Sequence, residues 1–185
     1  MARYKVVTKN DQELFEASGH LAFEMNLFDY CVHQLTFDPQ KMLRDDPNLQ
    51  NVFISGFPIH ARNIIGFLYG KMDTKGMLPA DDICAFQFFE DLNYWHTKCP
   101  PKTALLEEIE TNINKRAAHL TYLRATKPDY WWIWVDVHQA LKPLLSRFVD
   151  LVPHTRIDPY VINFETRWAW SKPENLPAIA TAQAQ

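Results

Sequence analysis

Two short segments carry side chains suited to act together on one substrate. The first is His60-Ala61-Arg62-Asn63. The second is Asn112-Ile113-Asn114-Lys115-Arg116-Ala117-Ala118-His119-Leu120-Thr121-Tyr122. Histidine exchanges protons near neutral pH. Arginine holds a phosphate and stabilises charge that develops on it. Asparagine and tyrosine orient groups without a metal. On a helix, Asn112, Arg116 and His119 fall at i, i+4 and i+7, a polar line beside an apolar stripe. His60 and Asn63 share a face with Phe53 and Phe67. Two facing helices that joined these lines would gather His60, Arg62, Asn63, Asn112, Asn114, Arg116, His119 and Tyr122. That inventory suits RNA binding and cleavage. It suits a structural role equally well, because a histidine beside a core stripe often serves as a hydrogen-bonded lock between helices.

Other groupings point to weaker chemistry. His20 and Glu24 lie at i and i+4, a spacing that presents two metal ligands on one helix face. His60 and His119 would complete a mononuclear site in a bundle core, the third reading of this chain. Glu-x-x-His pairs do not recur as a di-iron carboxylate bundle requires. Glu90, Asp91, Tyr94, Trp95 and His96 read as an exposed acidic face backed by a packing tryptophan. Trp131, Trp132 and Trp134 offer rings on which bases stack, or a surface for a protein partner through Trp131–Trp134. Cys31, Cys84 and Cys99 lack CxxC spacing and read as reduced thiols. No GxSxG, P-loop, GxGxxG or zinc-finger spacing occurs, so no cofactor is expected.

The elements that must position these residues follow from periodicity. A helix over about 10–36 opens on Asn10 with Glu13 three residues later, a capping box. Its stripe is Leu14, Ala17, Leu21, Met25, Phe28, Val32 and Leu35. A second helix spans about 47–70, with Pro58 predicting a kink or a later start. Residues 71–80 read as a loop, and a shorter helix covers about 81–96. The helix over about 103–124 is capped by Thr103 and carries acids early and bases late, matching its dipole. A last helix covers about 133–152. Beyond it, RIDPYVINFETRWAW alternates enough to suggest a short strand or an extended arm.

The whole is expected to be all-α: one domain over 1–185, with an antiparallel four- to five-helix bundle at 10–152. An irregular C-terminal arm and tail, extended over 153–185, completes it. With 185 residues, 47% hydrophobic and 14% aromatic, the chain can build a core without staples. A net charge of −3 excludes a basic nucleic-acid coat, so an RNA site must be a local patch, here around Arg62, Lys115, Arg116 and Arg124. No apolar run approaches the ~18 residues that span a bilayer. The N-terminal residues show no apolar h-region, and a cytoplasmic protein without membrane contact is expected.

The text NKRAAHLTY near the end of a long helix, with PIHARNIIGFLYG in the long helix before it, resembles the higher eukaryote and prokaryote nucleotide-binding (HEPN) superfamily. The likeness covers about residues 10–152. It implies a four-helix bundle that often forms a homodimer. In active members an arginine and a histidine, four to six residues apart, cleave RNA without a metal, and two subunits commonly combine their motifs. His119 matches the family's histidine as acid or base. Asn114 and Asn112 stand in the window where the arginine is expected, and Arg116 is too close to His119. Either Arg62 supplies the cation from the neighbouring helix, or the site is degenerate and binds without cutting. A non-catalytic interaction module, with the Asn/Arg/His cluster structural, is the alternative.

Overall fold

The computed structural model describes residues 3–5, 9–37, 47–70, 77–79, 83–116, 134–171 and 175; for 3–5, 47, 50, 77–79, 112–116 and 170 it describes the backbone alone. Among the described residues the architecture is a helical bundle with one small strand pair. Helix α1 is Asp11–Phe37 and α2 is Pro47–Tyr69. A short helix α3, Tyr94–Lys98, leads into α4, Ala104–Arg116, and α5 is Trp134–Leu151. Arg3–Lys5 (β1) pairs antiparallel with Met77–Pro79 (β2), with Tyr4 opposite Leu78. The second strand lies in the segment the sequence reads as a loop.

The helices begin where their chemistry says they should. Asn10 and Glu13 form the reciprocal capping box: Glu13 N–H donates to Asn10 Oδ1, and Asn10 N–H donates to Glu13 Oε2, both at 2.9 Å. Thr103 Oγ1 accepts from Leu106 N–H at 3.3 Å, capping α4. Pro58 neither delays α2 nor ends it, since the helix already runs from Pro47. The short helix expected over 81–96 is broken. Among the described residues of that stretch, only a 3-10 turn at Ala85–Phe88 and the five residues of α3 are helical. Phe86, Phe88, Phe89 and Trp95 are all buried there, and no single helix face can bury that set.

Ring and ion-pair contacts give the directions of the helices. Along α1, Glu24, Phe28 and Tyr30 meet His60, Phe57 and Phe53 of α2, so one ascends as the other descends. Phe28 also stacks on His138, and Phe67 meets Phe148 edge-on, so α5 runs parallel to α2 and antiparallel to α1. Helix α4 starts beside the end of α2, where Lys102 Nζ sits 4.9 Å above the Tyr69 ring, and packs back along it. The order is therefore up, down, up, down, the arrangement expected for a four-helix bundle. Its core is continuous from Leu14 on α1 to Trp168.

Trp168 lies in the region expected to be an extended arm, and the structure corrects that expectation. Residues 154–171 fold into consecutive short turns: His154–Arg156, α6 (Pro159–Ile162), α7 (Phe164–Arg167) and Trp168–Ser171. The segment is irregular, but it is helical and packed. Ile157, Val161, Phe164 and Trp168 are all fully buried. Their spacings of four, three and four are helical, and the apparent alternation around them was incidental. Asp158 caps α6 by accepting from Tyr160 N–H at 2.7 Å, with Pro159 next in line. Its own N–H donates to Ser18 Oγ on α1 at 2.7 Å. Arg156 fastens the turn to Asp11 Oδ1 (2.7 Å) and to the Phe88 carbonyl (2.9 Å).

Candidate functional site

The predicted cluster begins on α2, whose geometry divides it. His60 and Arg62 are two residues apart and so lie about 200° around the helix from each other. His60 turns toward α1. Its Nδ1 lies 2.6 Å from Glu24 Oε2, and the pair is only partly exposed at 16% and 23%. A carboxylate only accepts, so His60 donates from Nδ1, and this tautomer is held by the pair. Phe23 stands edge-on to the imidazole at 6.5 Å. Asn63, three residues on and half-buried, shares this flank.

Arg62 lies on the opposite flank. It is half-buried and in line with Tyr69, seven residues later, the residue that meets Lys102 at the approach to α4. From that junction the 13 residues of α4 run back about 20 Å along α2. This brings the Asn112 backbone to about the level of Ile59–Arg62. The backbones of Asn114 and Arg116 follow on the same helix; their side chains, with His119 and Tyr122, lie outside the described residues, as does Arg124. The structure therefore separates His60 and Asn63 from Arg62. It leaves Arg62 on the flank that α4 approaches.

The metal grouping does not assemble among the described residues. Glu24 is engaged by His60, His20 is exposed, and no three His, Cys, Asp or Glu side chains are placed to hold an ion there. Thiol chemistry is disfavoured as well. Burial pushes the Cys31 and Cys99 thiols up to about 11, so both stay protonated at neutral pH. Tyr69, beside Cys99, is raised above the ordinary phenol range by its own burial and by that neighbour. The acidic face is as expected: Glu90 and Asp91 are exposed, and buried Trp95 donates Nε1–H to the Leu68 carbonyl at 2.7 Å. Trp131 and Trp132 lie outside the described residues, and Trp134 is half-buried against the core. Among the described residues the exposed large apolar side chains are Phe23, Tyr30 and Phe37 on α1 and Leu49, Val52 and Ile59 on α2.

One titratable cluster was not anticipated. His138 is fully buried in α5, with Nε2 at 3.1 Å from Asp29 Oδ1 on α1. Its ring stacks on Phe28 (5.5 Å between centroids) and against Trp168 (4.1 Å). Burial lowers its pKa from the ordinary value. Asp29 opposes that shift and Lys142 reinforces it. No local pattern signals this pair, because its members are 109 residues apart. A cleft of about 400 Å³ lies between α5 and α7, lined by Ser146, Asp150, His154 and Glu165 and by the apolar Val149 and Ile162 among others. Ser146 donates to Glu165 across it. No family model matches this chain, and no curated protein or solved structure is significantly similar to it.

Proposed function

We propose that this protein is a HEPN-like RNA- or nucleotide-binding bundle whose site lies between α2 and α4, with Arg62 and His119 at its centre. The observation that supports this is the antiparallel return of α4 along the flank of α2 that carries Arg62. A cation from α2 can stand in for the arginine absent at Asn114 only from that flank. In the cleavage step the ribose 2′-hydroxyl attacks the adjacent phosphorus, and the bond to the 5′-oxygen of the next nucleotide breaks. His119 moves the proton, and Arg62 balances the charge on the phosphate oxygens. Asn112, Asn114, Arg116 and Tyr122 would line the substrate path. His60 and Asn63 fall outside it, and His60 acts instead as a lock between α1 and α2. A cytoplasmic setting accords with three free cysteines.

The test is RNA cleavage, and RNA binding, by metal-free protein in EDTA. Wild type is compared with His119→Ala, Arg62→Ala and His60→Ala. The proposal expects cleavage to vanish in the first two and to persist in the third. Binding that is lost in Arg62→Ala without any cleavage by wild type identifies a degenerate, non-cutting site. Absence of both binding and cleavage refutes the proposal. It leaves the second reading, a non-catalytic interaction module. That reading is favoured by the engagement of His60 with Glu24 and by the exposed apolar face on α1 and α2.

A further inference from the structure

We propose that the outer side of the α1–α2 seam receives an amphipathic helix from another protein, one that carries Lys or Arg beside its apolar face. The two antiparallel helices meet at Glu24–His60, Phe28–Phe57 and Tyr30–Phe53. On α1, Phe23 is 58% exposed and Tyr30 51%, and both rings reach toward α2, edge-on to His60 and Phe53. On α2, Val52 is 61% exposed and Ile59 44%. Val52, Gly56 and Ile59 fall at i, i+4 and i+7, one stripe along the helix. Gly56 places that stripe at the seam, because a Cβ there would sit 3.6 Å from Cys31 Sγ of α1. Two apolar lines, each about 10 Å long, thus flank a floor to which Gly56 adds no side chain. A helix laid into such a groove buries its apolar face along both lines.

Charge selects the occupant. Helix α1 carries Asp11, Glu13, Glu16, Glu24 and Asp29 and no Lys or Arg. Asp29 is engaged by His138 on α5, but the others bear on the groove or its end. Exposed Glu16 continues the line of Phe23 and Tyr30 one heptad toward the N-terminus. Partly exposed Glu24 lies in the seam itself. The sole Lys or Arg of α2 is Arg62, about 200° around the helix from the His60 that faces the seam. The groove is therefore apolar along its length and acidic toward the start of α1. A partner helix with apolar residues at i, i+3, i+4 and i+7, and bases beside them at one end, complements both features. A second copy of this face would bring carboxylates to carboxylates and no cation. RNA or an anionic lipid surface would meet like charge. Because Arg62 is on another flank of α2, the groove and the proposed RNA site are separable.

Fluorescence anisotropy on the full chain, without RNA, tests this. The probe is a labelled amphipathic peptide of leucine and lysine, about 18 residues or five helical turns long. Wild type is expected to bind it with micromolar affinity. Val52→Lys should weaken binding by about tenfold or more and Glu16→Lys by about threefold, both with unchanged circular dichroism. The same peptide with glutamate in place of lysine should bind about tenfold more weakly. Hydroxyl-radical footprinting of wild type supplies a reading that needs no variant: Phe23 and Tyr30 gain protection when the lysine peptide is added. No binding up to about 100 μM, equal binding of the two peptides, or binding that both variants leave unchanged overturns the proposal. So does sedimentation of the protein alone as a dimer that Val52→Lys dissolves, which gives the groove to a second copy. Binding to phosphatidylcholine vesicles that Val52→Lys abolishes gives it to lipid and overturns the proposal likewise.

Discussion

Replacing Trp168 with alanine removes the largest of the side chains that tie the C-terminal turns to the bundle. Trp168 is fully buried, with its ring centroid 4.1 Å from His138, 5.3 Å from Phe164 and 5.7 Å from Phe28. Its neighbours come from α1, α5 and α7, three elements that cannot all close in on the space it leaves. The loss is therefore the full large-to-small penalty, transfer plus cavity, about 3–5 kcal/mol. For a domain of this length each kcal/mol moves Tm by about 2–4 °C, so Trp168→Ala should lower it by roughly 6–20 °C. Total stability is on the order of 5–15 kcal/mol, and the variant should be folded but weakened. Urea denaturation followed by far-UV circular dichroism measures this. The control is Arg167→Ala, one residue away and exposed, where the Arg167 guanidinium stacks 4.3 Å above the Tyr160 ring; it should change stability by less than about 1 kcal/mol. A Trp168→Ala cost no larger than that of the control would mean that 154–171 is a loosely attached arm, as its sequence first suggests.

Three further outcomes are expected. Folding holds His138 neutral by lowering its pKa, so its stabilising effect is complete above the ordinary value of 6.5 and is lost as pH falls below it. Wild type should lose more stability between pH 7.5 and pH 5.5 than His138→Gln does, and equal losses in urea titrations would contradict the buried state of this histidine. A Cβ at Gly19 meets nothing within 4 Å, whereas at Gly70 it would collide with Cys84 Sγ and the Gly66 carbonyl. Gly19→Ala should thus stabilise by about 0.5–1 kcal/mol through the unfolded chain, and Gly70→Ala should destabilise, both measured by thermal melting. Asn10→Ala breaks the capping box and should cost about 1 kcal/mol, with fraying of the first turn of α1 visible in amide hydrogen exchange.

Much of the architecture is written in local pattern. The α1 stripe from Leu14 to Leu35, the Asn10–Glu13 box and the Thr103 cap are interactions between residues three or four apart, and the proline start of α2 is a property of one residue's backbone. Periodicity reports such interactions directly. The helix at 134–151 was legible for the same reason. The broken element at 83–98 and the packed turns at 154–171 were not. Their buried rings answer to neighbours elsewhere in the chain, and Pro159 and Asn163 resemble breakers until Asp158 and Ser18 are brought together. The same limit governs the candidate site. Sequence brings His60, Arg62 and Asn63 into one tetrapeptide and so into one cluster. Helical rotation then sends His60 to Glu24, 36 residues away, and places Arg62 about 200° around α2 from it. The pairing of His138 with Asp29 has no local trace, since it exists only when α1 and α5 pack. Residue types and spacing thus settle where the four long helices form and start. Which polar side chains meet is decided by how those helices rotate to bury their apolar stripes, because burying large rings outweighs the placement of any one polar group.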